Sequence, residues 1–211
     1  PARDFTRERK LPLHKVISAL LCMEGGSLTN ELLRYFGCSQ DTASSSAFIQ
    51  QRQKINEFAF PSLFDLFVKN TDEERLYKGY RLLAVDGSDL QFTANPNDPL
   101  SYFPGANGQK HYSFLHLNAL YDLNSNLYLD AIMQKKRAAN ENAALINMVD
   151  KSQIVQPVIL IADRGYEAYN TLEHISRKGW KYLIRIKESK GIISPLPLPE
   201  GDFDLPVQLF L

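Results

Sequence analysis

Two aspartates have neighbours that would suit a chemical role, since each directly follows a short apolar run. Asp86 ends the segment LLAVD and Asp163 ends the segment VILIAD. Ligands gather at the carboxyl ends of parallel strands, so the two carboxylates would converge if these runs were neighbouring parallel strands. Two anions side by side repel unless a divalent cation such as Mg²⁺ or Mn²⁺ neutralises them. Two such ions about 3.5 to 4 Å apart can support phosphodiester chemistry.

Each aspartate also has an ordinary structural interpretation. Asp86 and Gly87 form a dipeptide that is common in turns. Asp163 could simply cap the helix that follows it. Sequence spacing alone leaves both interpretations open beside the metal site.

Other titratable residues are weaker candidates. Asp89 lies three residues after the first aspartate and is expected to act, if at all, by supporting the ligands. Glu167 is expected to begin a helix, where the helix dipole already favours an acid, and Glu188 follows a strand expected near the sheet edge. His111 and His116 are five positions apart on or beside one strand and therefore point to opposite faces, so no shared metal is expected.

The first 80 residues predict a helical subdomain. Apolar residues recur at helical spacing in the first helix, and Ser27, a possible cap, begins the second. The predicted helices are 13–21, 28–36, 43–56 and one that has Pro61 in its first turn. The second and third have the approximate spacing of a helix-turn-helix, which would put Arg52 and Lys54 on a DNA-contacting helix; packing alone is the alternative.

After Tyr80 the apolar spacing changes to that of strands. Strands are predicted at 81–85, 111–121, 127–133, 158–162 and 181–187, with a loop from 86 to about 109 and helices at 140–149 and 167–178. This order predicts an α/β fold with a mixed sheet. Its first three strands form a meander, and helical crossovers lead to the last two.

Composition limits the classes of protein that this chain can belong to. Its 211 residues are 44% hydrophobic and 23% charged, which is typical of a globular protein. No apolar run is long enough to span a bilayer, and the first ten residues do not resemble a signal peptide. Cys22 and Cys38 lack a zinc-type pairing and are expected to be reduced, mostly buried thiols, which indicates a cytoplasmic location.

The formal net charge is zero, so any attraction to DNA must come from local clusters of basic residues. Lys135, Lys136 and Arg137 form one such cluster after the predicted hairpin. Arg164 lies beside the second aspartate, where a cation could hold a phosphate. A solvated surface or salt bridges to nearby carboxylates would explain the same residues without DNA.

The stretch from Arg81 to Lys190 resembles the catalytic core of the DDE transposases of bacterial insertion sequences. The matching segments, in chain order, are VDGSDL, HLNALYDLNSNLYLDA, RAANENAAL, IADRGYEAYN and WKYLIRIK. The resemblance implies a ribonuclease-H-like sheet, cut-and-paste transposition, and catalytic, metal-binding roles for Asp86 and Asp163 with two Mg²⁺ (or Mn²⁺) ions. It also implies double-stranded DNA as partner, binding of terminal repeats by the helical part, and a homodimer on DNA.

The third acid of that family is a glutamate in a motif of the form Tyr-x-x-Arg-x-x-x-Glu, which does not occur in these 211 residues. We therefore expect a chain cut before the third acid and inactive by itself. The expected organisation is a helical DNA-binding subdomain over 1–80, an incomplete catalytic core over 81–190, and the start of an inserted, strand-rich segment over 191–211.

Two other functions remain open from the sequence. One is a DNA-binding remnant or repressor-like fragment without catalysis, and the other is an unrelated metal-dependent nuclease or phosphatase on a similar sheet. The reading frame after Leu211 separates them, because a Tyr-x-x-Arg-x-x-x-Glu motif there favours the transposase.

Overall fold

The computed structural model of the chain describes residues 4–5, 10–106, 108–187, 191–197 and 199–206. Glu188, one of the weaker acid candidates, lies outside these ranges. The chain divides into two compact units, Pro1–Phe64 and Asp65–Leu211. Within the described ranges, every helix is too short or too polar to span a bilayer.

The N-terminal unit is built from short helices around a small apolar core. Its helices are α1 (Leu13–Leu21), α2 (Leu28–Tyr35), α3 (Ser45–Arg52) and the beginning of α4 (Ala59–Thr71). Val16, Leu32 and Phe48 are fully buried and belong to one cluster. The expected burial of Cys22 and Cys38 is wrong, since both are exposed. The hydroxyls of Ser27 and Ser44 accept hydrogen bonds from backbone N–H groups in the first turns of α2 and α3, which explains where these helices begin.

The second and third helices differ from the predicted helix-turn-helix. Gly37 and Cys38 both have positive φ angles, 62° and 54°, which ends α2. The cap at Ser44 then delays α3, so the connection is longer than the three or four residues usual in that motif. Because α3 ends at Arg52, Lys54 lies beyond the helix on which it was predicted.

The C-terminal unit is a mixed sheet with two helices packed on it. The strands are β1 (Arg81–Phe92), β2 (Tyr102–Phe103), β3 (Tyr112–Asp122), β4 (Leu127–Lys135), β5 (Val158–Ala162) and β6 (Lys181–Ile184), and the helices are α5 (Glu141–Lys151) and α6 (Tyr169–Arg177). β3 pairs antiparallel with β1, β2 and β4, while β5 lies parallel to both β1 and β6. This order confirms the predicted α/β, ribonuclease-H-like sheet, with a meander followed by two crossover strands.

Buried and half-buried residues alternate along β1 and β5, so one face of the sheet is covered and the other is more open. Leu83 and Leu160 are fully buried and pack in one cluster with Leu145 of α5 and Ile175 of α6. The residues that alternate with them on β1 and β5 are only half-buried, among them Ala84. Residues at even positions of β1 therefore lie on the more open face.

Several element boundaries in the sheet unit differ from the sequence-based prediction, and one strand was not predicted. β1 does not end at Val85 but continues to Phe92, because β3 pairs with it along its whole second half. Asp86 therefore lies inside a strand, and its interpretation as a turn residue is wrong. β2 forms within the predicted loop, and β6 ends at Ile184. A 3₁₀ turn at Arg164–Tyr166 precedes α6, which begins later than predicted.

A buried ion pair joins the first and third strands. Arg81 is 1% exposed, and its Nε donates to Asp122 Oδ2 at 2.5 Å, while Nη2 lies 2.5 Å from Asp72 Oδ1. Burial alone would lower the pKa of Arg81, but the two carboxylates outweigh it and raise the pKa. Asp122 also accepts the backbone N–H groups of Asn124 and Ser125, so one side chain holds both the arginine and the β3–β4 turn.

Candidate functional site

The structure brings Asp86 and Asp163 to neighbouring parallel strands. Ala84 of β1 is the partner of Ile161 of β5, and the same offset aligns Asp86 with Asp163. Paired residues of parallel strands share a face, so both aspartates start from the more open face of the sheet. Both are exposed. The predicted parallel neighbours are therefore present, but only Asp163 follows the end of its strand, because Asp86 lies within β1.

The two aspartates are held in the same way. Asp86 Oδ1 accepts the N–H of Gly87 at 2.8 Å, and Asp163 Oδ1 accepts the N–H of Gly165 at 2.7 Å. Asp163 thus caps the 3₁₀ turn that follows it, so its structural interpretation is also correct in part. Within the described residues, neither Oδ2 atom has a hydrogen bond or ion pair. One oxygen of each aspartate is fixed, and the other is available to a ligand.

Tyr166 is a buried tyrosine whose pKa is affected by the carboxylates around the two aspartates. Tyr166 is 1% exposed, and its hydroxyl has no hydrogen-bond partner among the described residues. Burial raises the pKa of Tyr166, and the nearby carboxylates of Glu141, Asp86 and Asp163 raise it further. The hydroxyl consequently stays protonated at neutral pH, and three acids lie close to it.

The pair suits a hard divalent cation but does not form a complete site. Carboxylate oxygens are the ligands that Mg²⁺ and Mn²⁺ prefer, and one oxygen of each aspartate is held by a backbone N–H group. Across the described ranges, no group of three or more His, Cys, Asp or Glu side chains is arranged to hold a metal ion. The described residues therefore supply part of an octahedral shell, and water or further ligands must supply the rest.

The other acidic candidates have structural partners instead. Asp89 lies on the opposite face of β1 from Asp86, and hydrogen bonds from His116 and Lys136 lower its pKa. Glu167 does not begin α6; its carboxylate accepts the backbone N–H groups of Lys187 and Ile192 and holds the segment after β6.

The basic candidates differ in how far their charges are already paired. Lys135 lies 2.9 Å from Asp98, and Lys136 lies 2.8 Å from Asp89. Arg137 donates to a backbone carbonyl at 3.2 Å and stacks 4.3 Å above the Phe103 ring. Arg164 is exposed and has no ion pair within the described part of the chain. Its charge is therefore unpaired within the described residues, and it directly follows Asp163 in the chain.

Sequence reasoning missed His116, Glu141 and Asn142 as neighbours of the site. His116 was read as an ordinary strand residue, and it is buried between two carboxylates. The polar run from Asn140 to Asn142 was read only as the start of a helix. One feature of the sequence could have identified these residues: the run lies within RAANENAAL, a segment that resembles the family.

Comparison with known proteins identifies one family. The family model described as transposase DDE domain matches residues 77–198. No curated protein matches the chain.

Solved structures that resemble the chain are transposase complexes. The Drosophila P element transposase strand transfer complex is 7% identical, with a TM-score of 0.43, and the alignment covers 87% of this chain and 43% of that chain. The piggyBac transposase synaptic complex with hairpin DNA is 15% identical, with a TM-score of 0.45 and coverages of 92% and 44%. The Mos1 strand transfer complex is 12% identical, with a TM-score of 0.37 and coverages of 84% and 59%. The chain thus spans about half the length of these structures.

Proposed function

This chain belongs to the transposase DDE-domain family, and from that premise we propose that it forms the part of a transposase that cleaves and joins DNA at transposon ends. The observation that supports the proposal is the placement of Asp86 within β1 and of Asp163 directly after the neighbouring parallel strand β5, each with one oxygen bound by a glycine N–H. Capping explains one oxygen of Asp163, but it leaves the exposure and the free Oδ2 atoms of both carboxylates without a structural role.

Members of the family generally use divalent metal ions. In our proposal Asp86 and Asp163 are residues that would hold two Mg²⁺ or Mn²⁺ ions. When bound, such ions activate an attacking oxygen and stabilise the departing oxygen of a phosphodiester. The protein's part is to fix the two carboxylates: the glycine N–H groups set their orientation, and the buried, protonated Tyr166 places an uncharged group beside them.

The family's third acid, a glutamate within Tyr-x-x-Arg-x-x-x-Glu, is not among the 211 residues. We propose that these residues alone bind divalent ions weakly and neither cleave nor join DNA. Two aspartates leave most of an octahedral shell to water, which positions an ion loosely. A displacement of about 1 Å can reduce a rate on the order of a hundredfold.

The test of this function uses the full-length gene product and linear DNA carrying the sequences that flank its gene. We expect strand cleavage at the repeat ends in Mg²⁺ or Mn²⁺, and its complete loss when the ions are chelated. The 211-residue chain is the control and should show no cleavage. Cleavage that survives chelation, or a gene product that ignores these ends, would contradict the proposal.

DNA binding near the aspartates should depend on Arg164. Its charge is unpaired within the described residues, whereas Lys135 is already paired with Asp98. We predict that Arg164→Ala lowers the slope of log affinity against log salt concentration by about one, the value for one lost phosphate contact. Lys135→Ala, the matched control, should change the slope less because its counter-charge is internal. Binding titrations of duplex DNA at several salt concentrations measure the slope for the wild type and for each variant. An Arg164→Ala slope equal to the wild-type slope would mean that Arg164 contacts no phosphate.

The helical unit has a separate role in the proposal. Arg52 at the end of α3 and Lys54 just after it are both exposed, and these are residue types that reach base edges or phosphates. We propose that this unit binds the terminal repeats and that the protein forms a homodimer on DNA, which would bring two transposon ends together.

A further inference from the structure

The N-terminus of α5 contacts both segments that carry the aspartates. Glu141 is its first residue, and a β-carbon added at Gly87 would lie 3.0 Å from Glu141 Oε1. A β-carbon added at Gly165 would lie 3.6 Å from Glu141 Oε2 and 2.9 Å from Asp163 Oδ1. The Glu141 carboxylate therefore lies between the glycine after Asp86 and the turn after Asp163.

Asn142, the next residue but one after the cap, fastens the same turn. Its Nδ2 donates to the carbonyl of Gly165 at 3.2 Å, and its Oδ1 accepts the hydroxyl of Thr171 at 2.7 Å. Thr171 is fully buried in α6. The turn that carries Asp163 is thus tied to α5 and α6 as well as to its own strand.

His116 lies between the carboxylates of Asp89 and Glu141. The residue is 3% exposed; its Nδ1 lies 2.6 Å from Asp89 Oδ1, and its Nε2 lies 2.9 Å from Glu141 Oε1. The second contact is close but not aligned as a hydrogen bond, so Nε2 has no hydrogen-bond partner among the described residues. The buried ring of His116 therefore lies in contact with both the Asp89 and the Glu141 carboxylates.

Glu141 is not a third ligand in this arrangement. His116 pairs with Asp89 across β1 and β3, on the face opposite to Asp86. The described residues contain no set of three or more potential ligand side chains arranged around one point. Glu141 thus borders the backbone behind the two aspartates, where it can set their separation without touching the ion.

We propose that Glu141 and Asn142 are positioning residues that hold the segments after Asp86 and Asp163 at a fixed separation, with His116 and Asp89 bracing Glu141. This inference rests on the proposed function, because it concerns the spacing of the same two carboxylates. Residues that orient metal ligands commonly change metal affinity about 10- to 100-fold when they are replaced.

The test is Mn²⁺ binding by the 211-residue chain, followed by the loss of the electron paramagnetic resonance signal of free Mn²⁺. Glu141→Ala should weaken binding by about tenfold or more. Glu141→Gln keeps the length and shape of the side chain and should retain affinity within about threefold of the wild type, whereas a direct ligand would lose as much as with alanine. Glu173→Ala is the matched control, since Glu173 is a half-exposed acid on α6 that pairs with Arg177.

Asn142→Ala provides a second variant, which removes the bond to Gly165 and leaves Glu141 in place. It should also weaken Mn²⁺ binding by about tenfold. Circular dichroism melts of every variant separate folding from binding. Folded Glu141→Ala and Asn142→Ala chains with wild-type affinity would overturn the proposal, and so would a glutamine variant as weak as the alanine variant.

Failure of the proposed function gives a different result in the same titration. If Asp86→Asn and Asp163→Asn leave Mn²⁺ affinity unchanged, the aspartates are not the ligands, and both the function and the inference are wrong. If the aspartate variants lose binding while the α5 variants do not, the inference alone is wrong.

Discussion

Asp163→Asn in the full-length gene product is expected to reduce DNA strand cleavage by a factor on the order of a thousand or more. The amide oxygen can still accept the N–H of Gly165, so the turn should keep its shape. The substitution removes the negative charge that is proposed to hold the metal ion. Removal of a single preorganised group that stabilises a transition state typically costs about 10² to 10³ in rate, and loss of a metal ligand should cost at least as much.

The control for this prediction is Asp150→Asn. Asp150 is an exposed acid near the C-terminal end of α5 that pairs with His174, and its replacement should leave the cleavage rate unchanged. Asp86→Asn should behave like Asp163→Asn, while DNA affinity without metal should stay near the wild-type value for all three. Cleavage at more than about a tenth of the wild-type rate in either site variant would argue that the aspartates do not carry the chemistry.

Asp122→Ala should destabilise the sheet unit by about 3 to 5 kcal/mol, because it leaves the buried Arg81 without its internal partner. Asp122 is fully buried, so water cannot replace the lost carboxylate without entering the core. The turn that Asp122 caps would also lose two hydrogen bonds. Urea unfolding followed by circular dichroism measures the change.

A double variant separates the charge from the packing. Arg81→Met combined with Asp122→Leu removes both buried charges and keeps comparable volume, and it should recover most of the stability that Asp122→Ala loses. Asp72→Ala is the milder comparison, since Asp72 is partly exposed and Arg81 keeps its inner partner. If the double variant were as unstable as Asp122→Ala, the ion pair would stabilise the sheet unit more than apolar side chains of similar volume do.

The order of the strands and the alignment of the two aspartates were predictable from the sequence. The run from Val158 to Ala162 is apolar at every position, which is typical of a strand covered on both sides, and helical patterns flank it. That combination requires a parallel neighbour. The resemblance to DDE transposases then identified Asp86 and Asp163 as a pair.

The extent of β1 was not predictable in the same way. Asp86, Gly87 and Ser88 are residues that local preference assigns to turns. Pairing with β3 overrides that preference, since each residue from Leu83 to Phe92 has a partner across the ladder. Pairing with a distant strand does not produce a periodic pattern of apolar residues in the second half of β1, so the sequence of that segment does not predict it.

The surroundings of the aspartates were even less accessible from the sequence. Glu141 in the first turn of a helix has a sufficient local explanation in the helix dipole, so nothing in the sequence singles it out. Its contact with His116 depends on how α5 lies against β3. A role that arises from the packing of two elements cannot be read from either element alone.

The parallel pairing of β1 with β5 has a consequence for synthesis on the ribosome. The meander of β1, β3 and β4 closes through antiparallel pairs, whereas β5 must pair across a much longer stretch of chain. Long-range pairing is slow, because the chain loses conformational entropy in closing the loop before the strands gain their contacts. Until residues 158–162 emerge, one edge of β1 stays open to other nascent chains, and this is the interval in which the protein is most exposed to aggregation and to chaperones.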